Sequence, residues 1–557
     1  MEVFKIIYSV LGGLGIFFYG MKSMSEALQS VAGDVIKNII NTLTKNRVYA
    51  LLVGIIVTML VQSSSVTTVM VVGFVNAGLM QLTQAIGIIF GANIGTTITG
   101  WIISIKVGKY GLLFIGLGIF PMLFAKRNNW RQIGKVLFGI GMVFFGLDIM
   151  SGAFKPLRSM PEFLDAISYF SGQHYGAYIA SIIVGCLLTV VIQSSSAMLG
   201  ITMALATTGV IPFHTAAALV LGENIGTTIT ALLASVGGNV NAIRASRAHA
   251  VFNLLGVSVI FSLFPYYVEL IDYIVPGNPA EVGANGEFTN VAVHIASGHT
   301  IFNVASALIF LPFLKTLAAF VTKLTPDRGT KEQHHLKMLG DPKAVVPATA
   351  LVQAKAETDK MKDIIDRMYK NIEEIYSGEL SEADRKIRRA KVRDYEKITD
   401  NIQKEITIFL IKVQEMALSR KESVMAQSLT RIADELESIA DYLAALANYS
   451  ERSKLEEVLY NGAAKDFFAL YKDVKSYYEE TSGQFVHNEP NDMSVVKRRS
   501  ANLREEANDI RDRHLQRVGQ GEYPALSAIT YSDMIVALRK IRSHSENVAQ
   551  AHSYTLK

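Results

Sequence analysis

Two short polar motifs, each present twice in otherwise apolar sequence, carry the side chains that could bind a ligand. The first is Gln-Ser-Ser-Ser, at residues 62–65 and 193–196. The second is Gly-x-Asn-Ile-Gly-Thr-Thr-Ile-Thr, at residues 91–99 and 222–230. Matched positions are 131 residues apart in both motifs. Amides and hydroxyls offer hydrogen-bond donors and acceptors without a fixed positive charge, so they can bind a small oxyanion and still release it. Their oxygens also suit a hard cation such as Na⁺.

The duplicated motifs predict an oxyanion site and a cation site, each built from both copies. The candidate oxyanion ligands are Gln62, Ser63, Ser64, Ser65, Asn93, Thr96, Gln193, Ser194, Ser195, Ser196, Asn224 and Thr227. The candidate cation ligands are Ser64, Thr97, Ser195, Glu223 and Thr228. If the motifs lie at broken-helix ends, N-terminal N–H groups would face the anion and C-terminal carbonyls the cation. The alternative is that Ser, Thr and Gly only let membrane helices pack closely, although packing alone does not require a buried glutamine amide.

One motif position differs in charge between the copies, because Glu223 stands where the first copy has Ala92. A carboxylate inside a membrane is energetically unfavourable and marks a functional site by default. Three roles fit Glu223: it could bind a cation, carry a proton, or form an ion pair with Arg244 or Arg247. The two arginines could instead attract an anion or mark a cytoplasmic helix end, and we favour the helix end.

A second, looser repeat follows the motifs. His-x-x-Phe-Asn occurs at residues 249–253 and again at 299–303, at an offset of 50 residues. Histidines in membrane helices usually form hydrogen bonds that support packing. The repetition adds weight to the alternative of a functional role for His249 and His299, in which Asn253 and Asn303 could contribute to a pore wall.

The elements that must position these residues are membrane helices. Residues 1–325 contain 17 Lys/Arg and 11 Asp/Glu, whereas residues 326–557 contain 37 and 38. The first part therefore has the composition of a bilayer domain and the second that of a soluble one. The near-neutral charge of the tail argues against nucleic acid as its partner. The single cysteine, Cys186, allows no disulfide within the chain.

We predict an all-α fold with a polytopic membrane domain over residues 1–325. Two internal repeats, at about 8–105 and 134–236, are followed by further helices over 242–323. Each repeat begins with a Gly/Phe-rich helix, because residues 11–20 match 137–146 at an offset of 126. The apolar segments that contain Gln-Ser-Ser-Ser are too long for one crossing, which predicts hairpins or broken helices.

A linker over 326–349 and a soluble helical domain over 350–557 complete the chain. Six charged segments with periodic Leu and Ile predict two antiparallel three-helix bundles in this domain. Carboxylates spaced four residues apart share one helix face. Three such pairs in the first bundle could hold a divalent or iron-type metal, although a lone pair is usually solvated surface. The candidate metal ligands are Asp359, Asp363, Glu396, Asp400, Glu437 and Asp441.

Together the doubled motifs and the His-x-x-Phe-Asn segments resemble the type II sodium/phosphate cotransporter family over about 1–325. The bacterial form of that family carries a PhoU-like domain, which the tail resembles over about 345–555 through Arg431-Ile-Ala-Asp434 and the carboxylate pairs. The resemblance implies inverted repeats, alternating access and Na⁺-coupled uptake of inorganic phosphate, with the Gln-Ser-Ser-Ser segments at the substrate and sodium sites. PhoU-like domains bind metal clusters and take part in phosphate regulation. In the second bundle, the positions that correspond to Asp434 and Asp441 are occupied by Ser543 and Gln550. The second bundle therefore lacks these two carboxylates, and the first bundle is the better metal candidate.

We therefore expect a multi-pass protein of the cell (inner) membrane with a cytoplasmic C-terminal domain, and as partners phosphate, sodium ions, lipid, and a second copy or a cytoplasmic signalling protein. The first hypothesis is a phosphate importer driven by Na⁺. The second is an exporter or a proton-coupled transporter. The third is a membrane-anchored phosphate sensor. An enzyme is not expected, since the sequence contains no P-loop, HExxH motif or nucleophile elbow.

Overall fold

A computed structural model describes residues 2–41, 46–76, 80–105, 110–236, 239–284, 286–326, 347–377, 380–416, 418–453, 455–460 and 462–555. The chain divides into a membrane unit, Met1–Arg328, and a helical unit, Gly329–Lys557. Regular structure in the described ranges is helical, with one isolated β-bridge between Val282 and Phe288. Most of the predicted linker, 327–346, lies outside the described residues.

The membrane unit contains fifteen described α-helices. They are α1 (Glu2–Asn41), α2 (Arg47–Val61), α3 (Ser64–Asn76), α4 (Leu82–Ser104), α5 (Gly111–Phe124), α6 (Asn128–Phe154), α7 (Pro161–Ser168), α8 (Tyr175–Ile192), α9 (Ser195–Thr207), α10 (Phe213–Gly226), α11 (Ile229–Ala234), α12 (Val240–Ser262), α13 (Phe264–Ile274), α14 (Val291–Phe310) and α15 (Leu314–Leu324).

Seven helical stretches in the described part of the chain are long and apolar enough to cross a membrane. They are Val3–Ser30, Leu82–Ser104, Asn128–Ser159, Tyr175–Ile192, Phe213–Ala234, Val240–Ser262 and Val291–Phe310. Large apolar side chains such as Phe120 and Leu187 remain more than half exposed on the surface of this unit. Because such residues are stable in contact with lipid rather than water, the predicted all-α, polytopic membrane fold is confirmed.

Each Gln-Ser-Ser-Ser motif lies at a break between two helices. Gln62 ends α2 and Gln193 ends α8. Both adopt the left-handed conformation, with φ of 57° and 56°. The next helices, α3 and α9, begin two residues later, at Ser64 and Ser195. The predicted broken or hairpin segments are therefore present in both repeats.

The second motif behaves differently from the expected break. In the first copy, α4 runs without interruption through residues 91–99, so this motif does not lie at a broken-helix end. In the second copy, α10 ends at Gly226 and α11 begins at Ile229, which leaves a turn at Thr227 and Thr228. The glycines do not interrupt α4 because their backbones are used for helix packing.

The motif glycines bring helix backbones into contact at equivalent places in the two repeats. A Cβ on Gly91 would lie 1.9 Å from the carbonyl oxygen of Leu51 on α2. A Cβ on Gly222 would lie 2.0 Å from the carbonyl oxygen of Ile182 on α8. For the glycines, then, the close-packing interpretation holds, and they position the polar residues of α4 and α10 against the hairpins.

The opening helices of the two repeats, α1 and α6, pack antiparallel. Gly13 contacts the backbone at Gly146, and Gly20 contacts the backbone at Gly139. In the sequence repeat, however, Gly13 corresponds to Gly139 and Gly20 to Gly146. The first glycine of each helix therefore contacts the second glycine of the other helix. Such reciprocal contacts between antiparallel, equivalent helices imply a two-fold pseudo-axis, which is the arrangement of inverted repeats.

The helices that carry His-x-x-Phe-Asn support the repeats from outside. Phe252 on α12 stacks on Phe90 of α4, with ring centroids 4.2 Å apart. Phe302 on α14 belongs to the same apolar cluster as Leu221 of α10, and Leu221 is the repeat counterpart of Phe90. Each phenylalanine therefore anchors its helix beside one copy of the second motif.

The helical unit consists of long helices in two groups of three. The first group packs α16, α17 and α18 together, the second packs α20, α21 and α22, and α18 also packs on α22. Ser and Asp side chains cap α17, α18 and α21, as these residue types do at helix N-termini. The helices are α16 (Pro347–Tyr376), α17 (Glu382–Gln414), α18 (Arg420–Arg452), α19 (Leu455–Val458), α20 (Ala463–His487), α21 (Met493–Gly519) and α22 (Ala525–Thr555).

Candidate functional site

Equivalent residues of both repeats line one small cavity inside the membrane unit. Three pairs of counterparts, each 131 residues apart, contribute to its wall, together with Glu223 and His299. The lining residues are Ser64, Asn93, Thr96, Ser195, Glu223, Asn224, Thr227 and His299. Seven of these eight were predicted as ligands from the sequence, and His299 was not.

The two serines bring helix N-termini to the cavity. Ser64 is the first residue of α3, and Ser195 is the first residue of α9. The residues before them act as caps: the Oγ of Ser63 accepts from the Val66 N–H at 3.2 Å, and the Oγ of Ser194 accepts from the Ala197 N–H at 3.3 Å. Helix N-termini carry partial positive charge and unpaired N–H groups. This end of the cavity therefore suits an oxyanion.

Asn93 is fixed by the first His-x-x-Phe-Asn segment. Its Nδ2 donates to Asn253 Oδ1 at 3.0 Å, and its Oδ1 lies 3.2 Å from His249 Nε2. Asn253 in turn donates to the carbonyl of His249 at 3.0 Å. All three residues are buried. His249 and Asn253 thus orient the Asn93 amide without lining the cavity themselves.

The second His-x-x-Phe-Asn segment, residues 299–303, both supports Asn224 and contributes a side chain to the cavity. Asn303 donates to Asn224 Oδ1 at 3.3 Å and to the carbonyl of His299 at 2.9 Å. Asn224 Nδ2 donates to the Val220 carbonyl at 2.8 Å. The imidazole of His299 lines the cavity, and its Nδ1 has no partner among the described residues. The repeated His-x-x-Phe-Asn pattern was the sequence signal for this histidine.

Glu223 breaks the pseudo-symmetry of the cavity. It is 2% exposed, and its Oε1 accepts from the Thr202 hydroxyl at 2.9 Å. Neither residue has a polar counterpart, since Ala92 and Val71 occupy the equivalent positions. A carboxylate and a hydroxyl beside an oxyanion site offer oxygen ligands to a cation.

The predicted alternative of an ion pair between Glu223 and Arg244 or Arg247 is wrong. Arg244 donates to the carbonyl of Thr325 at 2.9 Å. Arg247 donates to the carbonyl of Leu324 at 3.1 Å and to the Thr325 hydroxyl at 2.8 Å. Both arginines therefore satisfy the C-terminal end of α15, which fits their interpretation as markers of a helix end.

The remaining candidate ligands do not line the cavity in this structure. The Gln62 amide donates to the Met59 carbonyl at 2.5 Å and accepts from Thr99 at 3.2 Å, whereas Gln193 is exposed. The hydroxyls of Thr97 and Thr228 each donate at 2.8 Å to a carbonyl three residues earlier in the chain. The residues outside the cavity are Gln62, Ser63, Ser65, Thr97, Gln193, Ser194, Ser196 and Thr228.

The six acidic candidates of the helical unit do not form one cluster. Burial raises the pKa of Asp359 to about 6, but this carboxylate pairs with Lys355 at 2.8 Å on the same helix. Four others, on α17 and α18, affect each other electrostatically: Glu396, Asp400, Glu437 and Asp441. Among the residues that the structure describes, no three His, Cys, Asp or Glu side chains are placed to hold a metal ion. The side chains therefore do not fit the expected six-carboxylate centre.

These four carboxylates predict a pH-dependent stability of the first bundle. Burial, and then the charges of Asp441 and Asp400, raise the pKa of Glu437 from 4.5 to about 7. Between these two values the unfolded chain binds fewer protons than the folded one, so stability falls as the pH rises from about 4.5 to 7. We expect hydrogen exchange in α17 and α18 to accelerate over this range, after correction for the intrinsic rate, and expect Glu437→Gln to remove most of that acceleration. The exposed carboxylate of Asp394 on α17 provides the control, Asp394→Asn. An equal pH response in Glu437→Gln and wild type would contradict the prediction.

The sequence matches the Na⁺/Pi-cotransporter family over residues 16–152 and 166–271. The uncharacterized protein YqeW of Bacillus subtilis (strain 168) is 32% identical over 317 residues, which are 56% of this chain and 95% of YqeW. YjbB of Escherichia coli (strain K12), whose name proposes inorganic phosphate export, is 24% identical over 418 residues, 74% of this chain and 72% of YjbB. Sodium-dependent phosphate transport protein 2A of Rattus norvegicus is 43% identical over 100 residues, 17% of this chain and 15% of that protein. No solved structure matches the chain.

A helical membrane unit in which two inverted repeats contribute equivalent polar residues to one cavity has an arrangement that many membrane transporters share. The chain belongs to the Na⁺/Pi-cotransporter family. It is accordingly a multi-pass membrane protein of phosphate transport, and the resemblance drawn from the motifs is confirmed. The family is one of transporters, not an enzyme class.

Proposed function

We propose that the protein carries inorganic phosphate into the cell together with Na⁺, by alternating access to the cavity between the repeats. The observation that carries this proposal is the pairing of Ser64 with Ser195, Asn93 with Asn224, and Thr96 with Thr227 around a single cavity. A site at a pseudo-two-fold axis can open to either side of the membrane by equivalent movements of the two repeats.

Phosphate would bind at the end of the cavity where α3 and α9 begin. The N–H groups and hydroxyls there supply donors, and the asparagine and threonine side chains add further hydrogen-bonding groups. Since no arginine or lysine in the described part of the chain lines the cavity, a bound phosphate would not be held by a fixed opposite charge there. This arrangement favours binding that is reversible enough for turnover.

Glu223 and Thr202 would hold the coupling cation. A cation beside the phosphate reduces the repulsion between the phosphate and the carboxylate, so each ion should increase the affinity of the other. Such mutual dependence is what couples the two ions during transport. Names of family members that include sodium-dependent phosphate transport support Na⁺ as this cation.

The second candidate is an exporter, or a transporter in which Glu223 carries a proton. The match with YjbB supports export, because its 418 residues exceed the membrane unit and so extend into the helical unit. The match with the sodium-dependent protein covers only 100 residues. Direction and coupling ion must therefore be measured together.

The test is labelled phosphate uptake into proteoliposomes of the full chain, with an inward Na⁺ gradient or an inward proton gradient. The Na⁺ gradient should stimulate wild type at least about tenfold, and Glu223→Gln should lose most of this stimulation because it removes the charge and keeps an acceptor for Thr202. Glu269 on α13 is exposed and outside the cavity, so Glu269→Gln serves as the control.

Each other outcome points to a different function. Uptake that follows the proton gradient without Na⁺ would identify the proton as the coupling ion. Phosphate movement seen only as release from preloaded vesicles would establish export. Binding of phosphate without transport in either direction would favour the membrane-anchored sensor.

We also infer that the helical unit lies in the cytoplasm and acts as a PhoU-like regulatory domain of the transporter. Its two groups of three helices and its acidic faces on α17 and α18 support this assignment. Because the six carboxylates do not converge, no regulatory step is assigned to a metal.

A further inference from the structure

A row of arginines on α17 includes one whose guanidinium is buried and only partly bonded. Arg385, Arg389 and Arg393 are spaced four residues apart and share a helix face. The Arg389 side chain is 2% exposed, and its Nη2 donates to Glu382 in the first turn of the same helix. Its Nε and Nη1 have no hydrogen-bond acceptor among the described residues.

The groups around Arg389 leave an excess of positive charge. Arg385 Nη1 lies 3.8 Å from Glu382, and the Nε of Arg385 also lacks an acceptor in the described ranges. Arg393 donates to Asn448 at 3.1 Å and lies 3.6 Å from Glu451. Glu451 is 3.9 Å from Arg389 Nε, too far for a hydrogen bond. Among the residues that the structure describes, three guanidinium groups thus face two carboxylates, Glu382 and Glu451.

Both carboxylates are placed so that they can leave. The side chains of Glu382 and Glu451 are 70% and 53% exposed, and an exposed carboxylate loses little free energy when it turns into water. Arg389 cannot compensate in the same way, because a buried charge with unmade hydrogen bonds is strongly unfavourable. An oxyanion that replaced Glu382 would offer more acceptors to the same guanidinium.

We propose that Arg389, together with Arg385 and Arg393, forms an oxyanion site in the helical unit that binds inorganic phosphate. The planar, multi-donor arginine fork matches phosphate oxygens, and Glu382 competes with phosphate as an internal substitute. The site would let the helical unit respond to the concentration of the ion that the family transports. Phosphate binding here requires neither uptake nor Na⁺, so it is independent of the proposed direction and coupling.

The experiment is hydrogen–deuterium exchange on the full chain in nanodiscs, titrated with inorganic phosphate, with chloride and sulfate as reference anions. Peptides covering the first three turns of α17 should exchange more slowly with phosphate in wild type. Arg389→Gln should lose this response, and Glu382→Gln should reach half-protection at a phosphate concentration about tenfold lower because the competing charge is gone. Lys386→Gln removes one exposed positive charge from the same helix and should respond as wild type does.

The protection observed in the membrane unit is read from separate peptides, so binding in the transport cavity is distinguished from binding at α17. An equal response to chloride at matched ionic strength would overturn the proposal by showing general ionic screening, and an equal response to sulfate would overturn the assignment to phosphate. An unchanged response in Arg389→Gln, or a weaker one in Glu382→Gln, would overturn it as well. A glycerol phosphate titration that protects α17 while inorganic phosphate does not would reassign the site to phosphate monoesters.

Discussion

Replacing Gly91 by alanine should reduce the yield of folded, membrane-inserted protein to roughly a tenth of wild type or less. The added Cβ would lie 1.9 Å from the Leu51 carbonyl oxygen and 2.9 Å from the Ile55 N. Both neighbours are backbone atoms, so no side chain can move aside and α2 would have to separate from α4. Membrane helices associate through close packing rather than through burial from water, which makes this separation unusually harmful.

The same reasoning applies to Gly222→Ala, where the Cβ would meet the backbone of Ile182 at 2.0 Å. The measurement is the monodisperse fraction of detergent-solubilised protein together with its midpoint of thermal unfolding. Gly12 on α1 has nothing within 4 Å of its Cβ position, so Gly12→Ala is the matched control and should behave like wild type. A normal yield and midpoint for Gly91→Ala would show that α2 and α4 are not held at this distance.

Sequence reasoning succeeded where a repeat constrained it. A shared offset of 131 residues predicted that the motifs of both copies meet, and the cavity contains three of those pairs. The offset could not reveal that α4 continues through the first copy. A glycine inside a helix is unfavourable by about 1 kcal/mol in isolation, so the pattern around Gly91 left open whether the motif lies at a helix end. The close contact with α2 reverses that preference, and such a contact depends on the tertiary structure.

The wrong prediction of an ion pair between Glu223 and Arg244 or Arg247 has a similar cause. Arg244 and Arg247 are the nearest cations to Glu223 in this stretch of sequence, but the end of α15 lies beside them in the fold. Nothing in the local pattern indicates which helix end approaches α12. For the acidic tail, by contrast, the relevant signal was present in the sequence. Lys355 precedes Asp359 by four residues, the spacing that pairs them on one helix.

Replacing Gln193 by glycine should make the protein more stable and at the same time abolish most of its transport. Gln193 adopts a φ of 56°, which a residue with a Cβ occupies at a disadvantage of about 1–2 kcal/mol. Glycine has no such penalty. The Gln193 side chain is exposed and has no side-chain hydrogen bond in the described structure, so its removal loses no hydrogen bond. The unfolding midpoint should therefore rise by about 1–2 °C for a chain of this length.

The strained conformation shared by Gln62 and Gln193 motivates the prediction that their amides contribute to phosphate binding. Each glutamine lies two residues before a serine that begins a helix and lines the cavity, and we expect its amide to turn toward an anion bound there. Loss of one hydrogen bond to a charged group is worth about 1.5–3 kcal/mol, so phosphate transport should fall about tenfold to a hundredfold in Gln193→Gly. Gln62→Gly should show the same loss with a smaller gain in stability, since it also removes the bond from Thr99.

Asn488, the remaining described non-glycine residue with positive φ, closes α20 in the helical unit and provides the control. Asn488→Gly relieves the same kind of strain in the helical unit, which contains none of the predicted transport ligands, and should leave uptake unchanged. Unfolding midpoints and initial uptake rates, measured on the same preparations, separate the two effects. If Gln193→Gly gained stability and kept full uptake, the glutamine would be a helix terminator only, and phosphate recognition would rest on the serine, asparagine and threonine pairs of the cavity.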